Sequence, residues 1–250
     1  MPILSVLLAA QISVGAIVAR VKENEVKIQD LHATARLEIA AEGETRNRAF
    51  ELSFLRQEES FGYRARIELL EPPEMEGTEF LIHAERGRRN REWAYFPDLG
   101  LVREIAGKSE DDPFLGSDIT YADLAGGAHL DDLTHRLLRE EVVNGEPCYV
   151  LEGTPKHQVA YQKLIGFIRK KDFVTVKAQF FEQGGGLSKE AFLSDVRDVG
   201  GGALLAHHIE VRRPAQDRRT MLSFENVKVN QGLAASTFER ESLGKEPLDP

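Results

Sequence analysis

The sequence predicts a mainly β protein with some α-helix, built on one long antiparallel sheet that curves strongly or forms an open barrel. Two observations support this prediction. Short segments in which apolar and polar residues alternate recur along most of the 250 residues, as in strands with one buried face. Clusters of Gly, Pro, Asn and Asp separate these segments at close spacing and indicate tight turns. Long helical segments do not alternate with the strands, which disfavours parallel α/β folds.

The first element is an uncharged stretch over residues 2–19. It is compatible with a secretory signal whose remnant is residues 1–10, with a membrane anchor, or with a buried helix. Ile12 and Ala16 begin a helical periodicity, so a helix over about 12–24 can follow a cleaved signal. We favour export, although no basic residue precedes the apolar run.

Seven segments are the clearest strands. In five of them apolar and polar residues alternate, whereas 161–168 and 173–181 are apolar on both faces, as in inner strands. The alternating ones are 31–40, 46–55, 62–70, 91–96 and 217–229. The remaining turn signals imply further strands, so that about six precede and about six follow an irregular central segment.

That central segment, residues 107–133, interrupts the alternation. Asp118 or Thr120 can cap a short helix that runs to Leu124, and the double glycine at 126–127 ends it. A sheet of about a dozen strands with two small helical pieces therefore places helices at the mouth of a curved surface.

Composition limits the possible functions. The net charge of −9 argues against a nucleic-acid-binding surface, which needs clustered positive charge. One cysteine excludes an intrachain disulfide and a cysteine-based zinc site.

Because neither a Pro/Ser-rich linker nor a close internal repeat divides the chain, we assign residues 11–250 to a single domain.

Motifs for catalysis are scarce. The chain lacks Gly-x-Ser-x-Gly, the P-loop and His-Glu-x-x-His. His129, Asp131, Asp132 and His135 are metal-ligand residue types in a short window, but a loop leading into a strand explains them more simply. We therefore expect no enzyme activity, no metal and no cofactor.

What remains is a surplus of aromatic and aliphatic strand residues. A curved sheet has a concave face, and helices that cover it only in part leave an apolar cavity, the usual form of a lipid site. The alternative is an ordinary filled core, and the residues alone leave both open.

Five blocks of sequence resemble the LolA-like outer-membrane lipoprotein-sorting proteins of the bacterial periplasm. The most specific is DPFLGSDITYADL at 112–124, which follows WAYFPDLGLVREI at 93–105. The others are GTEFLI at 77–82, LLREEVVNGEPCYVLEGTPK at 137–156, and 167–202. The resemblance implies a periplasmic protein with a half-barrel of about 11–12 antiparallel strands, whose concave face is covered by helices. It also implies a carrier of acyl chains from lipoproteins or lipids.

This resemblance suggests two groups of site residues. One group lines the apolar cavity and consists of Trp93, Tyr95, Phe80, Ile67 and Leu69. The other forms a lid and its hinges and consists of Arg103, Gly107, Phe114, Leu115, Gly116, Gly126 and Gly127. In the lipoprotein shuttles an arginine holds the lid helix, and Arg103 is the nearest candidate for that role.

The expected partners are lipoprotein acyl chains or lipid, with an inner-membrane transporter as a further candidate and no nucleic acid. We expect a monomer. Two other functions stay open. A periplasmic sensor or accessory domain would use the same fold to regulate a membrane partner. A hydrolase would require His129, Asp132 and His135 to converge.

Overall fold

The computed structural model describes residues 12–57, 62–85, 91–105, 112–120, 123, 130–157 and 161–245. The first element is the α-helix α1, Val14–Glu25. The strands before the central segment are β1 (Asp30–Ala41), β2 (Glu44–Gln57), β3 (Gly62–Glu71), β4 (Glu79–Ala84), β5 (Arg91–Phe96) and β6 (Leu101–Ile105). Those after it are β7 (Leu133–Val143), β8 (Glu146–Pro155), β9 (Tyr161–Arg169), β10 (Thr175–Glu182), β11 (Leu187–Asp198), β12 (Leu204–Arg213) and β13 (Arg218–Val229).

Short 3₁₀-helices occupy several connections. They span Pro73–Met75, Pro97–Leu99, Phe114–Gly116, Leu130–Asp132, Pro214–Gln216, Ala235–Phe238 and Arg240–Ser242. Across the described ranges, no helix is both long enough and apolar enough to cross a membrane. The predicted signal remnant, residues 1–10, lies outside those ranges.

All 13 strands form one antiparallel sheet in the order β6-β5-β4-β3-β2-β1-β13-β12-β11-β10-β9-β8-β7. The first and last strands therefore pair at its centre, with Leu37 opposite Leu222. The sheet is not closed into a barrel, because β6 and β7 stand at its two ends. The predicted class, a curved antiparallel sheet with helix, is confirmed. Six strands precede the central segment as expected, but seven follow it, so the total exceeds the predicted 11–12.

Alternation along the strands gives the sheet one strongly apolar face. Leu31, Ala33, Ala35, Leu37 and Ile39 of β1 are all buried on this side. Their neighbours across the pairs include Phe50, Leu52 and Leu222, which are buried as well. We call this side of the sheet the apolar face.

Helix α1 begins at a capped residue, because the Ser13 hydroxyl accepts a hydrogen bond from the Ala16 amide at 3.2 Å. Ile17 and Val21, one turn apart, are its buried residues and pack against Leu151 and Ile168 of β8 and β9. The strand register places this contact on the apolar face. The helix predicted over about 12–24 is therefore present.

Candidate functional site

The middle of the apolar face is covered by residues 112–120, which we call the cover segment. Phe114 and Ile119 are each 2% exposed and belong to the main hydrophobic cluster of that face. The Phe114 ring meets the Phe50 ring edge-on, with centroids 5.8 Å apart. Leu115 packs beside them and is partly buried. The cover segment thus contributes apolar side chains to the core while having little regular structure of its own.

Local hydrogen bonds give the cover segment its shape. The Phe114 amide donates to the Ile119 carbonyl at 2.8 Å, and the Ser117 amide donates to the Phe114 carbonyl at 2.9 Å. Leu115 and Gly116 both adopt positive φ, at 48° and 76°. That conformation suits glycine and costs a leucine energy, so the tight turn is held by its surroundings.

A buried ionic cluster fastens the cover segment to the sheet. The Asp118 carboxylate is 2% exposed, and one oxygen, Oδ1, lies 3.1 Å from Arg213 Nε and 3.0 Å from Arg218 Nε. The Thr220 hydroxyl donates to Oδ2 at 2.9 Å, and Arg218 also donates to the Gly116 carbonyl at 3.1 Å. We call Asp118, Arg213, Arg218 and Thr220 the Asp118 latch. Its sheet members come from β12 and β13, where Arg213 is paired directly with Arg218.

A second ionic contact lies next to the first. Asp123 Oδ2 accepts from Lys189 Nζ and from the Thr120 amide, each at 2.7 Å. The Thr120 hydroxyl accepts from the Asp123 amide in return, as in a capping box. Of the two predicted caps, Thr120 makes the capping contact, whereas Asp118 belongs to the latch. The predicted end of that helix at Leu124 lies outside the described residues.

The predicted cavity residues lie in two groups on opposite faces of the sheet. Ile67 and Leu69 are completely buried on the apolar face, and Phe80 is paired with Ile67 and partly buried beside them. Trp93 and Tyr95 point the other way and pack in a separate cluster. The structure therefore brings three of the five together under the cover segment.

Trp93 and Tyr95 instead pack beneath residues 233–245, which we call the C-terminal strap. Phe238 and Leu243 of the strap are buried against Leu81 and Trp93. Gly244 passes so close to Tyr95 that an added Cβ would lie 2.6 Å from its ring.

Polar contacts anchor the strap along its length. Arg64 pairs with Glu239 at 2.7 Å, and His83 Nε2 lies 2.6 Å from the Phe238 carbonyl. The buried Arg66 reaches the Lys245 carbonyl at 3.1 Å and pairs with Glu79 at 2.7 Å. Burial raises the pKa of Glu79, and the Arg66 guanidinium opposes that rise.

The predicted lid residues divide in a similar way. Phe114, Leu115 and Gly116 lie in the cover segment. Arg103 is exposed on the end strand β6. Among the described residues, the guanidinium groups that bind the cover segment are those of Arg213 and Arg218, and the role of Arg103 stays a prediction. Gly107, Gly126 and Gly127 lie outside the described ranges.

The sequence contains a signal for the latch arginines that the prediction missed. RRPAQDRR, at 212–219, places two arginine doublets on either side of a hairpin turn. Since successive strand residues point to opposite faces, one arginine of each doublet must face the apolar side. A cation there needs an anion to stay buried.

The residues considered for metal or hydrolytic chemistry do not assemble into a described site. No group of three metal-ligating side chains occurs within the ranges given above. His129 lies outside them, and burial lowers the pKa of the partly buried His135.

A separate cleft of about 660 Å³ lies where the pairing between β12 and β13 ends. Their pairing covers only His208–Arg213 and Arg218–Ser223. The residues that line it are Arg197, Asp198, Val199, His207, His208, Ser223, Phe224, Glu225, Asn226 and Val227. His208 Nδ1 lies 3.0 Å from the Ser223 hydroxyl, and Nε2 lies 3.6 Å from Asp195. Arg197 binds the same carboxylate and lowers the pKa of Asp195, as in a surface ion pair.

A family whose model is described as an uncharacterized protein matches residues 63–245, about three quarters of the chain. The chain belongs to this family. No curated protein matches it.

Several solved structures have a similar fold. A DUF1329 family protein from Desulfovibrio piger is 26% identical, with a TM-score of 0.78 over 91% of this chain and 96% of that one. A putative outer membrane lipoprotein-sorting protein domain from Vibrio parahaemolyticus is 23% identical, with a TM-score of 0.78 over 90% and 97%. A LolA superfamily protein from Nitrosomonas europaea is 19% identical, with a TM-score of 0.68 over 93% and 100%. The fold is therefore LolA-like, and the fold that the resemblance in sequence implied is confirmed.

Proposed function

We propose that the protein is a non-catalytic periplasmic carrier, acting as a monomer. It binds acyl chains of lipoproteins or lipids on the apolar face beneath the cover segment and moves them toward the outer membrane. One observation carries the proposal. The cover of a large apolar surface is a short irregular segment, fastened by a few side chains rather than by pairing into the sheet. The LolA-like fold supports the same reading.

The free energy of replacing the cover segment by a ligand favours an acyl chain as that ligand. Lifting the cover segment exposes chiefly Phe114 and Ile119, which costs roughly 3–6 kcal/mol at the usual value for burying such side chains. An acyl chain gains about 0.8 kcal/mol for each methylene buried, so about four to eight methylenes offset the exposure of these two side chains. A chain of ordinary membrane length exceeds this threshold without any covalent step.

The apolar face also offers the right surface. Ile67 and Leu69 line it at one side of the cover segment, and Phe80 is only partly buried beside them. We propose that these side chains contact the acyl chain once the cover segment moves.

The test is recovery of bound lipid from the native protein. Protein purified without detergent from a periplasmic fraction is extracted with organic solvent, and the extract is analysed by mass spectrometry. We expect about one acyl-bearing molecule per protein. Phe80→Ser should reduce recovery, whereas the matched Phe192→Ser on the opposite face should not.

Two results would contradict the carrier function. One is a protein that carries no acyl species when purified in this way. The other is equal loss of lipid in Phe80→Ser and Phe192→Ser. Co-purification of an inner-membrane protein in the absence of lipid would favour the accessory-domain function instead.

A further inference from the structure

We propose that Arg213, Arg218 and Thr220 form a binding site for an anionic group, phosphate or carboxylate, on an amphiphilic ligand. Asp118 fills this site while the cover segment is closed. The inference rests on the proposed function, because it specifies the polar end of the molecule whose acyl chain the apolar face would hold.

The site has the donors that an oxyanion requires. Two guanidinium groups on paired strands converge on one carboxylate oxygen, and a hydroxyl donates to the other. Arginine recognises carboxylate and phosphate through such charge-assisted hydrogen bonds. The Asp118 carboxylate stands in for the ligand's anionic group in this arrangement.

A third cation extends the site. Glu190 pairs with Arg212 in the register of β11 and β12, so Lys189 falls beside Arg213 on the apolar side. Lys189 is 8% exposed and is neutralised by Asp123. Lys189, Arg213 and Arg218 thus lie in one row across three neighbouring strands.

The acids that neutralise this row come from the part of the chain that covers the sheet. When Asp118 and Asp123 move away, the three cations lose their partners, which is costly for charges held at an apolar surface. An incoming anion removes that cost. Anion binding and displacement of the cover segment are therefore coupled, and each favours the other.

The neighbours of the site explain why the ligand should be amphiphilic. Thr220 lies between Val211 and Ile39, both buried on the apolar face. An anion held at Thr220 therefore has apolar surface beside it. A chain attached to that anion would continue directly onto the apolar face.

The experiment compares two single-chain amphiphiles by titration calorimetry below their critical micelle concentrations. Dodecyl phosphate carries the anion, dodecyl maltoside is neutral, and inorganic phosphate lacks the chain. For the unaltered protein we expect dodecyl phosphate to bind about tenfold more tightly than dodecyl maltoside, as charged hydrogen bonds allow. This ratio should decrease as salt is added.

Three variants separate the site from a merely structural latch. Arg218→Gln should abolish the preference for dodecyl phosphate while leaving dodecyl maltoside binding equal or tighter, a pair of changes that unfolding cannot produce. Asp118→Asn should tighten binding of both amphiphiles, because displacement of the cover segment becomes easier, and keep their ratio. Arg219→Gln is the matched control, since Arg219 points to the opposite face and pairs with Glu38, and it should behave as the unaltered protein does.

Each other outcome overturns the inference. Equal affinity for the two amphiphiles, or an unchanged ratio in Arg218→Gln, leaves the carrier function standing without an anion site. Inorganic phosphate that binds as tightly as dodecyl phosphate would make the ligand a free ion rather than an amphiphile. If neither amphiphile binds, the carrier function fails together with the site.

Discussion

Replacing Phe114 by alanine should make the cover segment open more often while the sheet stays folded. The side chain is 2% exposed and packs edge-on against Phe50. Truncating a phenylalanine in such a position costs about 3–5 kcal/mol. If the cover segment opens on its own, this change accelerates exchange of its amide hydrogens by about 10²- to 5 × 10³-fold, up to the rate of unprotected amides.

Amide hydrogen exchange measured by NMR reports on this directly. The amides of Ser117 and Asp118 are hydrogen-bonded within or from the cover segment, to the Phe114 carbonyl and the Thr220 hydroxyl. The Leu222 amide reports on the sheet centre. The contact between Phe114 and Phe50 is also lost on global unfolding, so the Leu222 amide should accelerate by a similar factor. Because it exchanges only when the sheet opens, it should stay far better protected than the other two amides in both proteins.

The control is Phe192→Ala, which removes the same ring from the opposite face, where it stacks with Lys177 and Arg212. It should accelerate the Leu222 amide more than the Ser117 and Asp118 amides, because opening of the cover segment does not break the contacts of Phe192. Equal protection of the Ser117, Asp118 and Leu222 amides, in the unaltered protein and in Phe114→Ala, would refute the reasoning. In that case the cover segment would open only when the whole sheet unfolds.

Two further predictions concern the C-terminal strap. Gly244→Ala should cost about 1–3 kcal/mol more than Gly232→Ala in urea unfolding, because both residues have positive φ but only Gly244 lies against Tyr95; equal losses would contradict the close packing. Burial lowers the pKa of His83 from 6.5, so the unfolded chain binds its proton more readily than the folded one. The free energy of unfolding should therefore fall as pH drops below about 6.5. A His83→Gln variant, measured by urea unfolding at pH 7 and pH 5, should lose part of that fall; an unchanged fall would contradict it.

Local signals explain why most of the architecture was predictable. The Ser13 cap and the spacing of Ile17 and Val21 act within one helix, and they locate α1. Period-2 alternation locates β1 and β13 because each buries one face. The irregularity of the central segment likewise shows in its own residues. Such features need no knowledge of what packs against them.

The features that the sequence did not predict depend on contacts between residues that are far apart in the sequence. Alternation shows that Trp93 and Tyr95 share a face, but β4 and β5 carry apolar residues on both faces. Trp93 and Tyr95 lie on the face that the C-terminal strap covers, and Phe238 of the strap, which packs against Trp93, comes much later in the chain. The latch joins Asp118 to Arg218, 100 residues later. A residue's own neighbourhood does not contain that information.

Photocrosslinking with an acyl chain that carries a diazirine near its end tests the central claim most directly. After illumination of the loaded protein, the modified residues are identified by peptide mass spectrometry. We predict modification on the apolar face, at residues such as Phe50 and Leu222 beneath the cover segment. Modification confined to the opposite face, at Phe167 and Phe192 or along the strap, would contradict the claim that the ligand binds under the cover segment.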